Sequence, residues 1–291
     1  MPYIHSVDLY LTGTKGLAAL RAALQYPQNI SAVRIMSDSG LSNDPYSEMI
    51  KLVEENGLNL VTGEVPITDK EALAVGWKFL IKTPYERLYV IHDSLLPKYR
   101  GWNPLVTALQ QRDSEIGVTL FLADDQIDHG PIVLQERISV TYPLRIKDAM
   151  QAVETAINGL VAFLMKQPDR QNLLGKEQDE NYATYSIWRN EEDYRVDWTD
   201  SAEEILTFIN SVSFPYNGAS TTLNGRFLRI LRAKVVSDLS IINRTPGKVW
   251  KIENGNITVL CGSGLIEILE YHFENEGQDT TSLISVKSKF I

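Results

Sequence analysis

Cysteine is almost missing: Cys261 is the only one in 291 residues. One thiol cannot form an internal disulfide, so stability has to come from an apolar core, and the chain fits a reducing compartment. Histidine is scarce too. The four present lie scattered along the chain and apart from the cysteine, so no metal-ligand spacing exists. No apolar run approaches the roughly 18–20 residues that span a bilayer. Met1-Pro2-Tyr3-Ile4-His5 carries neither the charged block nor the apolar block of a signal peptide. Basic residues are outnumbered, with 28 Lys plus Arg against 37 Asp plus Glu and a net charge of −9. An acidic chain without a basic stripe repels phosphate backbones, so no nucleic-acid partner is expected. These absences predict a soluble, cytoplasmic protein that needs neither a membrane nor a metal.

With 44% hydrophobic and 22% charged residues, the chain can build two cores rather than one. Its first part alternates short apolar runs with helical periods. Val7 to Leu11, Ala32 to Met36, Leu58 to Val61 and Ala72 to Val75 read as strands. Helices are expected from Gly16 to about Leu24, after Pro45, and over Pro104 to Gln111. A long helix from about Leu144 to Met165 carries Ile146, Met150, Val153, Ile157, Val161 and Leu164 on one face. Strands that alternate with helices predict an α/β fold, a doubly wound, mostly parallel Rossmann-like sheet. Gly13 and Gly16 sit at a strand-to-helix turn, but their spacing does not make a dinucleotide fingerprint.

Gln167 to Tyr185 is polar and poorly periodic, and reads as a linker. Beyond it the pattern changes. Ser201 caps a helix that runs to Val212, with Glu203 and Glu204 in its first turn. Ala219–Leu223 and Arg226–Leu231 are joined by Asn224-Gly225, a strong hairpin signal, and a second pair is joined through Glu253-Asn254-Gly255-Asn256. The predicted organisation is a catalytic domain over residues 1–185 and a smaller, β-rich, OB-like domain over 186–291. The last residues, Lys287 to Ile291, carry no signal.

The chemistry concentrates between Tyr89 and Gln135. An apolar run ends in His92, a turn follows, and a second run from Val118 leads into Asp124-Asp125-Gln126-Ile127-Asp128-His129-Gly130. This puts His92 at the carboxyl end of one strand and Asp128 in a loop past another, at the sheet edge where open α/β folds bind ligands. A histidine and an aspartate meeting there suit acid–base work near neutral pH.

Ser94-Leu95-Leu96-Pro97-Lys98-Tyr99-Arg100-Gly101 strongly resembles the formyltransferase family that uses 10-formyltetrahydrofolate to formylate an amine. His92, then Gly117-Val118-Thr119, then Asp128-His129-Gly130 follow that family's pattern in order and spacing. The second half, from Asn190 to Trp198 and through Phe214-Pro215-Tyr216-Asn217-Gly218-Ala219, is similar to the family's carboxyl-terminal domain. The resemblance implies that His92 and Asp128 are catalytic, with Asp128 fixing the imidazole tautomer and helping to take the amine proton. It implies that Trp77, Phe79, Leu80 and Ile81 line the folate pocket and that Asp124 and Asp125 face the pterin. Ser94, Lys98, Arg100, Trp102 and Asn103 become candidates for the acceptor, with Lys98 and Arg100 for its phosphates. Tyr185 to Arg189 and Pro215 to Ala219 look most like members that act on nucleotide-linked amino sugars (dTDP or UDP), commonly homodimers that serve surface glycans. A methionyl-tRNA formyltransferase is the alternative. So is a catalytically impaired folate- or nucleotide-sugar-binding homologue, because Val90 stands where the family has an asparagine.

Overall fold

A computed structural model describes residues 6–62, 70–81, 85–167, 169–274 and 284–291. The N-terminal five residues, where no signal peptide was expected, lie outside the described residues. Contacts divide the chain into two units. The second takes Arg189–Ile291 together with Leu109–Arg112 and Thr141–Lys147; the first takes the remainder up to Trp188.

The first unit runs β1 (Val7–Thr12), α1 (Gly13–Ala23), β2 (Ile30–Met36), α2 (Tyr46–Glu55), β3 (Glu71–Val75), β4 (Arg87–His92) and β5 (Arg100–Gly101). It continues with α3 (Pro104–Gln110), β6 (Glu115–Leu122), β7 (Ile132–Ser139), α4 (Ile146–Lys166) and β8 (Tyr185–Ser186). Six strands form one sheet in the order β2-β1-β3-β4-β6-β7. The first four are parallel, while β6 runs antiparallel to β4, and β7 to β6. This is the expected mostly parallel α/β sheet with an antiparallel side. Leu58–Val61, expected as a strand, contributes a single bridge from Leu60 to Val33.

Side chains alternate across each strand. Leu9, Leu11, Leu73, Val75, Tyr89 and Ile91 share one face and are buried. Helix α1 lies so close to that face that a Cβ at Gly16 would come within 3.0 Å of the Leu11 backbone. The opposite face carries Asp8, Tyr10, Ala72, Ala74, Leu88, Val90 and finally His92. Trp77, Ile81, Tyr85, Leu88 and Val90 pack there on Tyr10, Ala72 and Ala74.

The segment after α4 is not a slack tether. Arg170 and Glu71, both buried, pair at 2.5 Å, and Tyr89 donates from its hydroxyl to the Arg170 carbonyl. Its far end pairs β8 with β5, Arg100 opposite Tyr185 and Gly101 opposite Ser186. Gly101 has φ +101, and a Cβ there would sit 2.4 Å from the Ser186 carbonyl oxygen, so only glycine allows this pairing.

Among its described residues the second unit is an antiparallel sheet with the α-helix α5 (Ala202–Val212). Ser201 caps α5 as expected, accepting from the Glu204 N–H while the Glu204 carboxylate accepts from Ser201 N–H. The strands are β9 (Ala219–Leu223), β10 (Arg226–Val236), β11 (Val249–Glu253), β12 (Asn256–Leu260) and β13 (Leu265–Phe273), ordered β11-β12-β13-β10-β9. Both Asn-Gly turns hold two left-handed residues, Asn224-Gly225 and Asn254-Gly255, as their hairpins require.

Lys287 to Ile291, which carried no sequence signal, meets both edges of this sheet. Ile291 exchanges two backbone hydrogen bonds with Thr222 of β9, and Ser288 accepts one from Val249 of β11. Phe290, 1% exposed, packs on Trp198 at 5.3 Å between ring centroids. Replacing Phe290 with alanine is expected to destabilise this unit by about 3–5 kcal/mol, the usual cost of deleting a buried aromatic ring. Thermal unfolding of the full chain would show this as a lowered transition, and an unchanged melting curve would refute it.

Candidate active site

The strand β4 ends at His92, so the imidazole stands at the sheet edge on the same face as Val90. His92 is only 7% exposed. Its Nε2 lies 2.9 Å from the carbonyl oxygen of Tyr99. A carbonyl can only accept, so Nε2 carries the hydrogen of that bond. Nδ1 is then the ring nitrogen facing Asp128, whose Oδ2 is 3.6 Å away. The main chain therefore sets the imidazole tautomer, a role expected for Asp128. The same carboxylate oxygen accepts the Gly101 N–H at 2.8 Å.

The turn after His92 is built by the other motif residues. Thr119 donates from its hydroxyl to the Ser94 carbonyl at 2.7 Å and accepts the Leu96 N–H at 3.2 Å. Gln135 donates to both the Leu96 carbonyl and Thr119 Oγ1, at 2.8 and 2.9 Å. The Ser-Leu-Leu-Pro and Gly-Val-Thr segments occur together because one threonine holds the turn of the other. Ser94, proposed above for the acceptor, is 4% exposed and donates its hydroxyl to the Lys98 carbonyl at 2.6 Å.

Charge around His92 is paired. Burial pushes the Asp93 carboxyl up, but Lys15 at 2.8 Å, with His92 beside it, outweighs this and holds it below the ordinary carboxylate range. Arg100, a phosphate candidate by sequence, is 1% exposed. It donates to Gln178 at 2.9 and 3.1 Å and to Glu180 at 2.6 and 3.0 Å. Glu180 raises the Arg100 pKa, and Arg100 lowers that of Glu180. Arg100 is thus built into the scaffold, facing carboxylate and amide oxygens. Lys98 stays half-exposed, 3.5 Å from Asp113. Trp102 stands edge-on to Trp188 at 6.5 Å, and Asn103 donates to the Ile187 carbonyl.

At the start of β4, the opposite end of the strand from His92, lies a cavity of about 400 Å³ walled by Tyr85, Glu86, Arg87, Leu88, Leu122, Ala123, Asp124 and Leu174. Its Tyr85 wall is fixed. The phenol donates to Asp8 at 2.7 Å and lies 2.8 Å from the Tyr10 hydroxyl; burial, then these bonds, raise its pKa. Asp8, 2% exposed, also accepts from Ser31 and Arg34. Of the predicted folate residues, Asp124 lines this cavity, Trp77 and Ile81 belong to the adjoining apolar cluster, and Phe79, Leu80 and Asp125 are exposed. Among the described residues no group of three or more His, Cys, Asp or Glu side chains could hold a metal ion, and no helix is long and apolar enough to cross a membrane.

The Asp128 loop is held by residues that sequence reasoning passed over. His129 bridges Asp124 (2.6 Å) and Glu180 (3.4 Å). The Asp124 hydrogen bond, then the two carboxylate charges, raise its pKa. A group whose pKa rises on folding contributes stability fully below its unfolded value, about 6.5, and loses it as pH climbs through the folded value. Melting temperature should therefore fall across that window in the native chain. In His129→Gln the fall should be smaller, and identical profiles would refute the bridge.

Comparisons with known proteins give the family and the fold. Residues 74–164 match the family model "Formyl transferase" and residues 189–282 match "Formyl transferase, C-terminal domain". A methionyl-tRNA formyltransferase of Methylobacillus flagellatus is 31% identical over 91% of this chain and 91% of its own. Another, from Bradyrhizobium diazoefficiens, is 29% identical over 68% of this chain, which spans only 63% of that enzyme's length. A solved N-formyltransferase from Helicobacter canadensis, in complex with folinic acid and dTDP-3-aminofucose, superposes with a TM-score of 0.71 at 16% identity, covering 92% of this chain and all of its own. That likeness shows the fold. Sequence identity over nine-tenths of a relative, with a family model matched in each half, places the chain: it belongs to the formyl transferase family.

Proposed function

We propose that this protein moves the formyl group of 10-formyltetrahydrofolate to the amine of a dTDP- or UDP-linked amino sugar, in the cytoplasm and as a homodimer, for surface glycans. The observation that carries the reading is the His92–Asp128 pair, 3.6 Å apart at the end of β4, with a cavity of about 400 Å³ at the start of the same strand. Within the cavity, Leu88, Leu122 and Ala123 can flank a flat pterin, while Glu86, Arg87 and Asp124 make the rest of its wall polar and Asp124 offers an acceptor for the pterin edge. Trp102 and Trp188 offer ring faces near Asn103, where a nucleotide acceptor would lie.

The amine nitrogen attacks the formyl carbon and the carbonyl becomes an oxyanion. Collapse breaks the bond to N10 of the folate. The amine loses one proton and N10 gains one. Nδ1 of His92 and the Asp128 carboxylate receive the proton between them, and the Tyr99 carbonyl keeps the ring in register for this. An acidic chain favours a small nucleotide sugar over tRNA, whose binding draws on many phosphate contacts.

One observation favours a second reading. Val90 belongs to an apolar cluster and has no donor for the oxyanion. A protein that binds folate and nucleotide sugar with impaired transfer would look the same. Incubation with 10-formyltetrahydrofolate and a panel of dTDP- and UDP-linked amino sugars, and separately with methionyl-tRNA, decides by mass spectrometry. A sugar gaining one CO supports transfer to sugars. Formylation of the tRNA alone overturns it, and folate binding without any formylated amine selects the impaired reading.

A further inference from the structure

We propose that Gln178 is a positioning residue for Asp128, holding the aspartate loop against the Arg100–Gly101 strand so that its carboxylate faces His92. The proposal rests on reading His92 and Asp128 as the reacting pair.

Asp128 occupies the left-handed region, φ 50, which an aspartate adopts only when its surroundings hold it there. Two groups do so. The Gly101 N–H binds Oδ2 at 2.8 Å. From the main-chain side, Gln178 Nε2 donates to the Asp128 carbonyl at 2.9 Å and to the Gly130 carbonyl at 2.8 Å. Both hydrogens of one amide thus fall on the two carbonyls that bracket His129. The other end of the amide leaves no freedom. Gln178 Oε1 accepts from Nε and Nη2 of Arg100. Arginine can only donate, so the amide oxygen must face it and the NH₂ must face the loop. Arg100 is itself locked, by Glu180 and by burial. It is also the neighbour of Gly101, so the two supports of Asp128 share one anchor. A simple surface glutamine would have neither a fixed orientation nor two carbonyl partners.

The test follows the His92 ring by NMR through a pH titration of the full chain. The charged or polar groups facing that ring are Asp128, Asp93 with its partner Lys15, and the Tyr99 carbonyl. Asp128→Asn removes the carboxylate charge that faces Nδ1 and should lower the His92 midpoint. Gln178→Met matches the side-chain length but cannot hold the loop. It should lower the midpoint by at least half as much, and should add nothing in the Asp128→Asn background, because it acts through Asp128. Gln178→Glu keeps the Arg100 contacts, so it guards against a misfolded methionine variant. It sets an acceptor against both carbonyls and should shift the midpoint the same way. A native midpoint in both Gln178 variants, with Asp128→Asn shifted, overturns the proposal alone. An unmoved midpoint in Asp128→Asn overturns the reading of the pair as well. Equal shifts from Gln178→Met in the native and Asp128→Asn backgrounds would show a general structural role and also overturn it.

Discussion

Replacing His92 with alanine is expected to cut formyl transfer by about a hundredfold to ten-thousandfold, the range that a positioned acid–base group contributes. The size follows from where the ring sits. It is buried, its Nε2 hydrogen is held by the Tyr99 carbonyl, and its other nitrogen faces Asp128. Alanine has no group that could share the amine proton. The fold should tolerate the change. The Tyr99 carbonyl loses its His92 partner and keeps only the Ser186 hydroxyl at 3.4 Å, a cost of about 1–3 kcal/mol, while the turn beyond keeps its supports from Thr119 and Gln135. Cavity residues Leu88, Leu122 and Asp124 do not depend on the ring, so folate affinity should hold within a few-fold. The informative measurement is a turnover rate beside a folate titration and a melting curve. A rate near that of the native chain, with the fold intact, would remove His92 from the chemistry.

Much of this site could be read from residue types alone, and the parts that could not share a cause. The apolar run ending in His92 is a strand end because Tyr89 and Ile91 are buried on one face and the histidine falls on the other. Asn224-Gly225 and Asn254-Gly255 are hairpin turns because their backbone conformations are ones that few residues accept. Both are local signals. Arg100 was different. An arginine beside a glycine in a turn reads as exposed, and its partners Gln178 and Glu180 lie 78 and 80 residues further on, in a stretch with no periodicity. Nothing near Arg100 announces that pairing, and the same distance hid Gln178 and Glu180 themselves. Phe290 was hidden likewise: one aromatic among polar residues has no pattern, yet it is nearly fully buried beside Trp198. The antiparallel side of the sheet, β6 and β7, was also unreadable, because alternation of side chains reports burial and not strand direction.

Changing Val90 to asparagine is expected to raise the rate of formyl transfer by about a hundredfold to a thousandfold, the value usually lost when one oxyanion donor is removed. Position 90 lies two residues before His92 on one strand, so its side chain emerges on the same face as the imidazole. Valine offers that face only methyl groups. The His92 Nε2 hydrogen is already given to the Tyr99 carbonyl, so β4 holds no second donor for the charge that forms on the formyl oxygen. An amide at position 90 would supply one where the charge develops. Stability should move the other way. Val90 packs against Tyr10, Ala72 and Ala74, and a half-buried amide without a partner there costs about 1–3 kcal/mol. A faster enzyme with a lower melting temperature is therefore the signature, the opposite trade-off from a substitution that merely relaxes the strand. Val90→Leu, which adds bulk but no donor, should lose stability without gaining rate. If Val90→Asn binds folate normally and turns over no faster, the oxyanion is held by some other group, and the valine cannot be what limits transfer.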